Sequence, residues 1–171
     1  KARAAGYDID SVRLSNGLDF LRNFLKAKPE SSYPYDARIR KTIQAFALYL
    51  LAYAGRPDPA YAEKFFNERQ SLSLFGQAYL LKALHLGNGS PAAEEAVRRS
   101  LLNKIKITPS QAHFEEDDDA ALGWIYSSHN RTTAVVLQTL LETGANVPVL
   151  PDIVRWLVEQ GRTGRWRSTQ E

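Results

Sequence analysis

Residues 46–59 read FALYLLAYAGRPDP, and this stretch decides the fold. It begins as an unbroken run of helix formers with apolar side chains on every turn. Gly55 then stops the run, as a residue that accepts the left-handed conformation does at a helix end. Asp58-Pro59 restarts it: Asp takes the N-cap and Pro the first turn, where its missing N–H costs nothing. The unit is helix, glycine, short loop, proline, helix.

The same layout recurs outward from there. Ser73 opens a helix carrying Leu74, Ala78, Leu81 and Leu84; Gly87 closes it, and Ser90-Pro91 opens the next, with Ala93, Val97 and Leu101 inward. Ser128 or Asn130 opens a helix with Val136, Leu137, Leu140 and Leu141, closed by Gly144. Leu150-Pro151-Asp152 then starts one with Ile153, Val154, Trp156 and Leu157, closed by Gly161. Upstream, Ser11 caps a helix with Leu14, Leu18, Leu21 and Leu25 on one face, ended by Pro29 and residues 31–35. A second runs from about Asp36 with Ile39, Ile43, Phe46, Leu50 and Leu51 inward, and Phe65 and Phe66 anchor the helix after Pro59. Helical hairpins repeated in this way bury their apolar faces against neighbours.

One stretch departs from the pattern. Lys104-Ile105-Lys106-Ile107-Thr108 alternates polar and apolar residues, and residues 121–126 hold the strand formers Trp124, Ile125 and Tyr126. The two read as a small antiparallel β-excursion within 104–126. The expected fold is therefore all-α: about seven helices in antiparallel hairpins, with a β-hairpin insertion. Residues 1–171 read as a single domain.

Composition sets the outer bounds. The 171 residues are 44% hydrophobic and 24% charged, with net charge +3, as in an ordinary globular domain. The basic groupings Arg38/Arg40/Lys41, Arg98/Arg99 and Arg162/Arg165/Arg167 are too scattered for a nucleic-acid stripe. With no cysteine, disulfides, thiolate metal sites and a cysteine nucleophile are excluded within this chain. No run approaches the roughly 18 apolar residues of a membrane span. Lys1 is not an initiator methionine, so the chain is expected to be a piece of a larger protein or a processed product.

Few constellations point to chemistry. The acidic run Glu115, Glu116, Asp117, Asp118, Asp119 offers oxygen ligands of the kind hard cations take, but lacks the spacing of an EF-hand and reads as a solvated loop. His85, His113 and His129 lie too far apart for zinc spacing. There is no Gly-x-Ser-x-Gly elbow and no glycine-rich phosphate loop. Tyr33, Tyr35, Tyr49, Tyr53, Tyr61 and Tyr79 invite a sugar-binding reading, yet their helical spacing beside Leu and Phe favours core packing. No catalytic, cofactor-binding or metal residue is assigned, and no cofactor.

The end of the chain carries a resemblance. Residues 153–171, IVRWLVEQGRTGRWRSTQE, run from a helix into a turn bearing Trp166, and Ser168 with Glu171 has capping-box spacing at the start of a further helix. This segment resembles the toroid of bacterial α2-macroglobulin-like proteins. So do TTAVVLQTLLETG (132–144), AFALYLLAYAGRPD (45–58), SLFGQAYLLKALHLG (73–87) and KARAAGYDIDSVRLSNGLDFL (1–21). The spacing at Trp156 to Trp166 is also close to the Gln–Trp repeat of terpenoid cyclases.

The first resemblance implies a large, periplasmic, broad-spectrum protease inhibitor, often lipid-anchored to the inner membrane, that traps proteases. Its partners would be target proteases, met through the full-length protein, and other domains of the parent chain, with self-association through cut toroid edges and no nucleic acid. In that family a Cys-x-Glu-Gln thioester is common; this chain lacks it, and Gln170 belongs to the Ser-Thr-Gln signature instead. The implied fold is a partial α/α toroid, with residues 1–171 a single domain and a fragment of that larger toroid, whose apolar cut edges need cover from a second copy, from rearrangement or from further chain. The implied role is structural and non-enzymatic. The alternatives are a helical-toroid enzyme of terpenoid cyclase or glycosidase type, and a helical-repeat binding scaffold.

Overall fold

The structure, a computed structural model, describes residues 5–27, 37–116 and 128–162. Along the chain run α1 (Ser11–Lys26), α2 (Ala37–Tyr53), α3 (Pro59–Asn67), a 3-10 turn at Arg69–Ser71, α4 (Leu74–Leu86), α5 (Pro91–Leu102), β1 (Ile105–Ile107), β2 (Ala112–Phe114), α6 (His129–Glu142) and α7 (Leu150–Arg162). The fold is mostly helical with one two-stranded antiparallel hairpin, as its punctuation implies.

The caps explain the boundaries. Asp58 accepts from the Tyr61 N–H at 3.3 Å, Ser73 from Gly76 at 3.0 Å and Ser128 from Arg131 at 3.4 Å. Gly55 and Gly144 end α2 and α6 with φ of +76° and +66°, a region closed to most side chains. Two expected boundaries move. Asp10, not Ser11, caps α1, its carboxylate accepting from Val12 and Arg13 at 2.9 and 3.1 Å. Gly161 does not close α7, which continues to Arg162. Gly87 closes α4 as expected, with φ −89°, and the left-handed residue is the next one, Asn88, φ +53°.

The helices form two layers. α4 packs against both α2 and α6, and these alternate helices make one layer. α1 lies on α2, α3 and α5 lie on α4, and α7 lies on α6, making the other. α4 is the hub. Leu74, Ala78, Leu80, Leu81 and Leu84 are buried on one side of the helix, and Gly76, Lys82 and Ala83 are buried on the others, which leaves only a narrow stripe at Phe75 and Tyr79 and is the pattern of a core helix. Phe65, Val97, Leu101, Val136, Leu140 and Ile153 close the core around it. Other expected core positions sit further out: Phe46 is 39% exposed and Leu141 58%, with Leu14 and Val154 also at the surface.

The β-excursion holds, with a different partner. Ile105, Lys106 and Ile107 pair with Phe114, His113 and Ala112, so the second strand comes earlier than the stretch 121–126, which lies outside the described residues. Strand β2 rests on α6 and α7, burying Ala112 and Phe114. The Thr133 hydroxyl on α6 receives the Phe114 N–H at 3.0 Å and donates to the Phe114 carbonyl at 3.2 Å, so one side chain satisfies both backbone groups of a buried residue.

Candidate functional site

The open face of the α2–α4–α6 layer carries the most unusual side-chain cluster among the described residues. On α2, Phe46, Tyr49 and Tyr53 follow one another at i, i+3 and i+7; on α4, Phe75, Tyr79 and Lys82 do so at i, i+4 and i+7. Helical geometry puts each set in one row. The two rows meet. The Tyr79 ring centroid is 4.7 Å from Phe46, 5.5 Å from Tyr49 in a stacked arrangement and 4.9 Å from Phe75 edge to face; Tyr49 lies 5.9 Å from Tyr53. Such offset and edge contacts add to the burial of the rings.

Lys82 ends the α4 row, and its side chain is 4% exposed. Its ammonium lies 3.0 Å from the Glu142 carboxylate on α6 and 5.2 Å from the Tyr49 ring centroid. A buried ammonium needs such partners, and a carboxylate with an aromatic face supplies both Coulomb and cation–π attraction. Burial raises the Tyr49 phenol above its ordinary value of 10.0, and Glu142 and Tyr53 push the same way. Burial likewise raises Tyr79, aided by Tyr49 and opposed by Arg131. The phenols therefore stay protonated at neutral pH, and the ammonium is tied to a carboxylate. This is chemistry for packing or recognition.

Spacing alone misreads this face. Tyr49 and Tyr61 pack against the core as their spacing suggests, but Tyr49 and Tyr79 are only half-buried and Tyr53 is 46% exposed, so the face is not sealed. Rows at i, i+3 and i+7 look the same whether a face is covered or open. The one signal in the sequence is Lys82, a charge inside an apolar row. Tyr33 and Tyr35 lie outside the described residues.

The acidic run divides. Glu115 is at the surface, 2.8 Å from His113 Nε2. Glu116 is buried, and its carboxylate accepts from the Leu74 and Phe75 N–H groups at 3.0 and 2.8 Å, with the Thr132 hydroxyl at 3.5 Å. Together with Ser73, it satisfies the first N–H groups of α4 inside the core, where water cannot. A solvated loop is thus wrong for Glu116; its charge is stabilised by the positive end of a helix. Asp117, Asp118 and Asp119 lie outside the described residues. The histidines stay apart: His85 meets Glu94 at 3.1 Å, His113 stacks on Trp156 at 4.7 Å, and His129 begins α6.

No family model matches the chain, and no curated protein matches its sequence. Solved structures do match its shape. A Salmonella α2-macroglobulin reacted with methylamine superposes on 99% of this chain with a TM-score of 0.79 at 21% identity. This is a fold found within bacterial α2-macroglobulin. Escherichia coli α2-macroglobulin in its native conformation matches over 99% of the chain at TM-score 0.77 and 23% identity. The trypsin-activated form from Escherichia coli matches at 0.73 and 23%, also over 99%. The chain spans only 11%, 10% and 11% of these α2-macroglobulin chains, respectively.

Proposed function

We propose that the chain is a structural part of the helical toroid of a bacterial α2-macroglobulin-like, broad-spectrum protease trap. One observation carries this reading: the likeness covers 99% of the chain in neighbours that are native, methylamine-reacted and trypsin-activated, at TM-scores of 0.77, 0.79 and 0.73. A segment that resembles all three states to a similar degree suits a scaffold that keeps its shape while the surrounding assembly changes. The two-layer order supports the same reading, with α2, α4 and α6 as inner wall and α1, α3, α5 and α7 outside. In that arrangement the aromatic face of Phe46, Tyr49 and Tyr79 turns inward, to be covered by further helices of the toroid.

The chain itself has no cysteine, so it contributes no thioester cysteine. Its role is non-enzymatic, its protease targets are met through the full-length protein, and the parent works in the periplasm, lipid-anchored to the inner membrane.

The test uses the full-length parent with trypsin. A trap leaves the protease able to cleave a small amide substrate but not a large one such as casein. Amidase activity retained with casein cleavage lost is the expected result. Casein cleavage unchanged at molar excess of the parent overturns the reading.

A further inference from the structure

A second feature lies on the other layer. Between α3 and α5, above the C-terminal half of α4, runs a cleft of about 550 Å³. Its floor includes Leu48 and Leu84, and its walls include Phe66 of α3 and Ala93 of α5. The lining is otherwise rich in alanine and glycine. At Gly87 the packing is tight: a Cβ there would sit 2.9 Å from the Ala83 carbonyl and 3.2 Å from Pro57. That closeness also places the loop before α3 against the loop before α5, so both helices begin at the same end of the cleft.

The cleft has a definite electrostatic character. Asp58 at the start of α3 and Glu63 midway along it are the charged residues of the lining, and both are acidic. No cation among the described residues pairs with Glu63, which is exposed. The N-cap of α5, Ser90, makes no side-chain capping bond, so the first N–H groups of α5 lack a side-chain acceptor. Asp58 already caps α3, so the open positive end is that of α5, which favours partial negative charge, while the carboxylates of Asp58 and Glu63 favour cations. The C-terminal turn of a helix supplies both, its last carbonyls being partly negative and its last side chains often Lys or Arg.

We infer that the cleft seats the C-terminal turns of an amphipathic helix of a partner, with large apolar side chains filling it and basic residues of the last turn against Asp58 and Glu63. The volume lies within the roughly 300–1,000 Å³ of ligand-binding clefts. An extended peptide fits less well. The walls are helices whose backbone groups are spent internally, so they offer no strand edge, whereas a helix satisfies its own backbone. An anionic lipid would meet the two carboxylates. The inference stands apart from the toroid reading, since it needs only this cleft.

The probe is a labelled helical peptide of about 15 residues, roughly four turns, with Leu at i, i+3, i+4 and i+7 and Lys in the last turn. Its binding to the chain is read by fluorescence anisotropy. Binding is expected to weaken about tenfold or more in Ala93→Trp, which fills the cleft, and in Glu63→Lys, which reverses its rim. It should also weaken when the Lys residues are moved to the first turn. Glu63 is exposed, so its variant keeps the fold and decides the matter if Ala93→Trp does not fold. Binding unaffected by either variant overturns the inference. So does equal binding of a peptide broken by a central proline, which would indicate an extended partner. Concentration-dependent dimerisation abolished by Glu63→Lys, without peptide binding, would assign the cleft to a second copy and overturn it too.

Discussion

Replacing Glu116 tests the centre of the fold from a position far from it in sequence. The carboxylate accepts from Leu74 and Phe75 at 3.0 and 2.8 Å, and it is 7% exposed. Hydrogen bonds to a charged acceptor contribute about 1.5–3 kcal/mol each, and a buried N–H left without a partner costs about 1–3 kcal/mol. The charge at a helix N-terminus adds up to about 1 kcal/mol. Residues 72–74 are also buried, so water relieves little of this. Glu116→Ala should therefore cost about 3–5 kcal/mol. Glu116→Gln keeps one acceptor but turns an NH2 group toward the second N–H, for about 2–3 kcal/mol. At about 2–4 °C per kcal/mol for a chain of this length, the Ala variant should melt about 6–20 °C lower. Urea unfolding followed by far-UV circular dichroism measures both, with Glu115→Ala as the control. Glu115 has an exposed side chain and a hydrogen bond with His113 worth about 0–1 kcal/mol. A loss below about 1 kcal/mol for Glu116→Ala, or one equal to the control, would refute the capping role.

Three other perturbations follow from the same structure. Lys82→Met should be close to neutral, since it removes both the charge and its desolvation, whereas Glu142→Gln strands a buried ammonium and should cost about 1–3 kcal/mol more, measured by paired urea melts. The hydrogen bond from His113 holds the Glu115 carboxyl below its ordinary value of 4.5; a lowered folded-state value stabilises the fold above about pH 4.5 and loses that contribution as pH falls through the folded value, so the Tm gap between wild type and Glu115→Gln should be open at neutral pH and close in acid. Gly17→Ala, mid-helix with nothing within 4 Å, should stabilise by about 0.5–1 kcal/mol, while Gly87→Ala should destabilise by about 1–3 kcal/mol through its backbone clash; equal effects in thermal melts would contradict the packing at Gly87.

The helices were legible because their ends are written locally. Asp58-Pro59, Ser73, Ser90-Pro91 and Ser128 each act within a few residues, and the caps at Asp58, Ser73 and Ser128 do what those residues do in isolation. The hairpin was half legible. Alternation marks Ile105–Ile107, but Ala112–Phe114 is too short to show a period, and its burial comes from α6 and α7. Glu116 was not legible at all. In the chain it is one acid of five, and only the fold brings it to a helix that starts 42 residues earlier. The aromatic face was misjudged for a related reason: spacing reports which side of a helix a residue occupies, and covering that side is the work of other elements.

The distance between Glu116 and Leu74 has a consequence for how the chain is made. α4 is the helix on which α2, α3, α5 and α6 all rest. Its full N-terminal cap is a residue synthesised 42 positions later. Ribosomes add about 5–20 residues per second, so roughly 2–8 seconds pass in which the hub of both layers exists without it. During that interval α2 and α3 are already present, and they meet a helix whose first turn is held by Ser73 alone. The early hairpins therefore dock provisionally, and arrival of the hairpin β1–β2 with Glu116 behind it fixes them before α6 packs on, which makes the least helical part of the molecule a late clamp on its most buried helix.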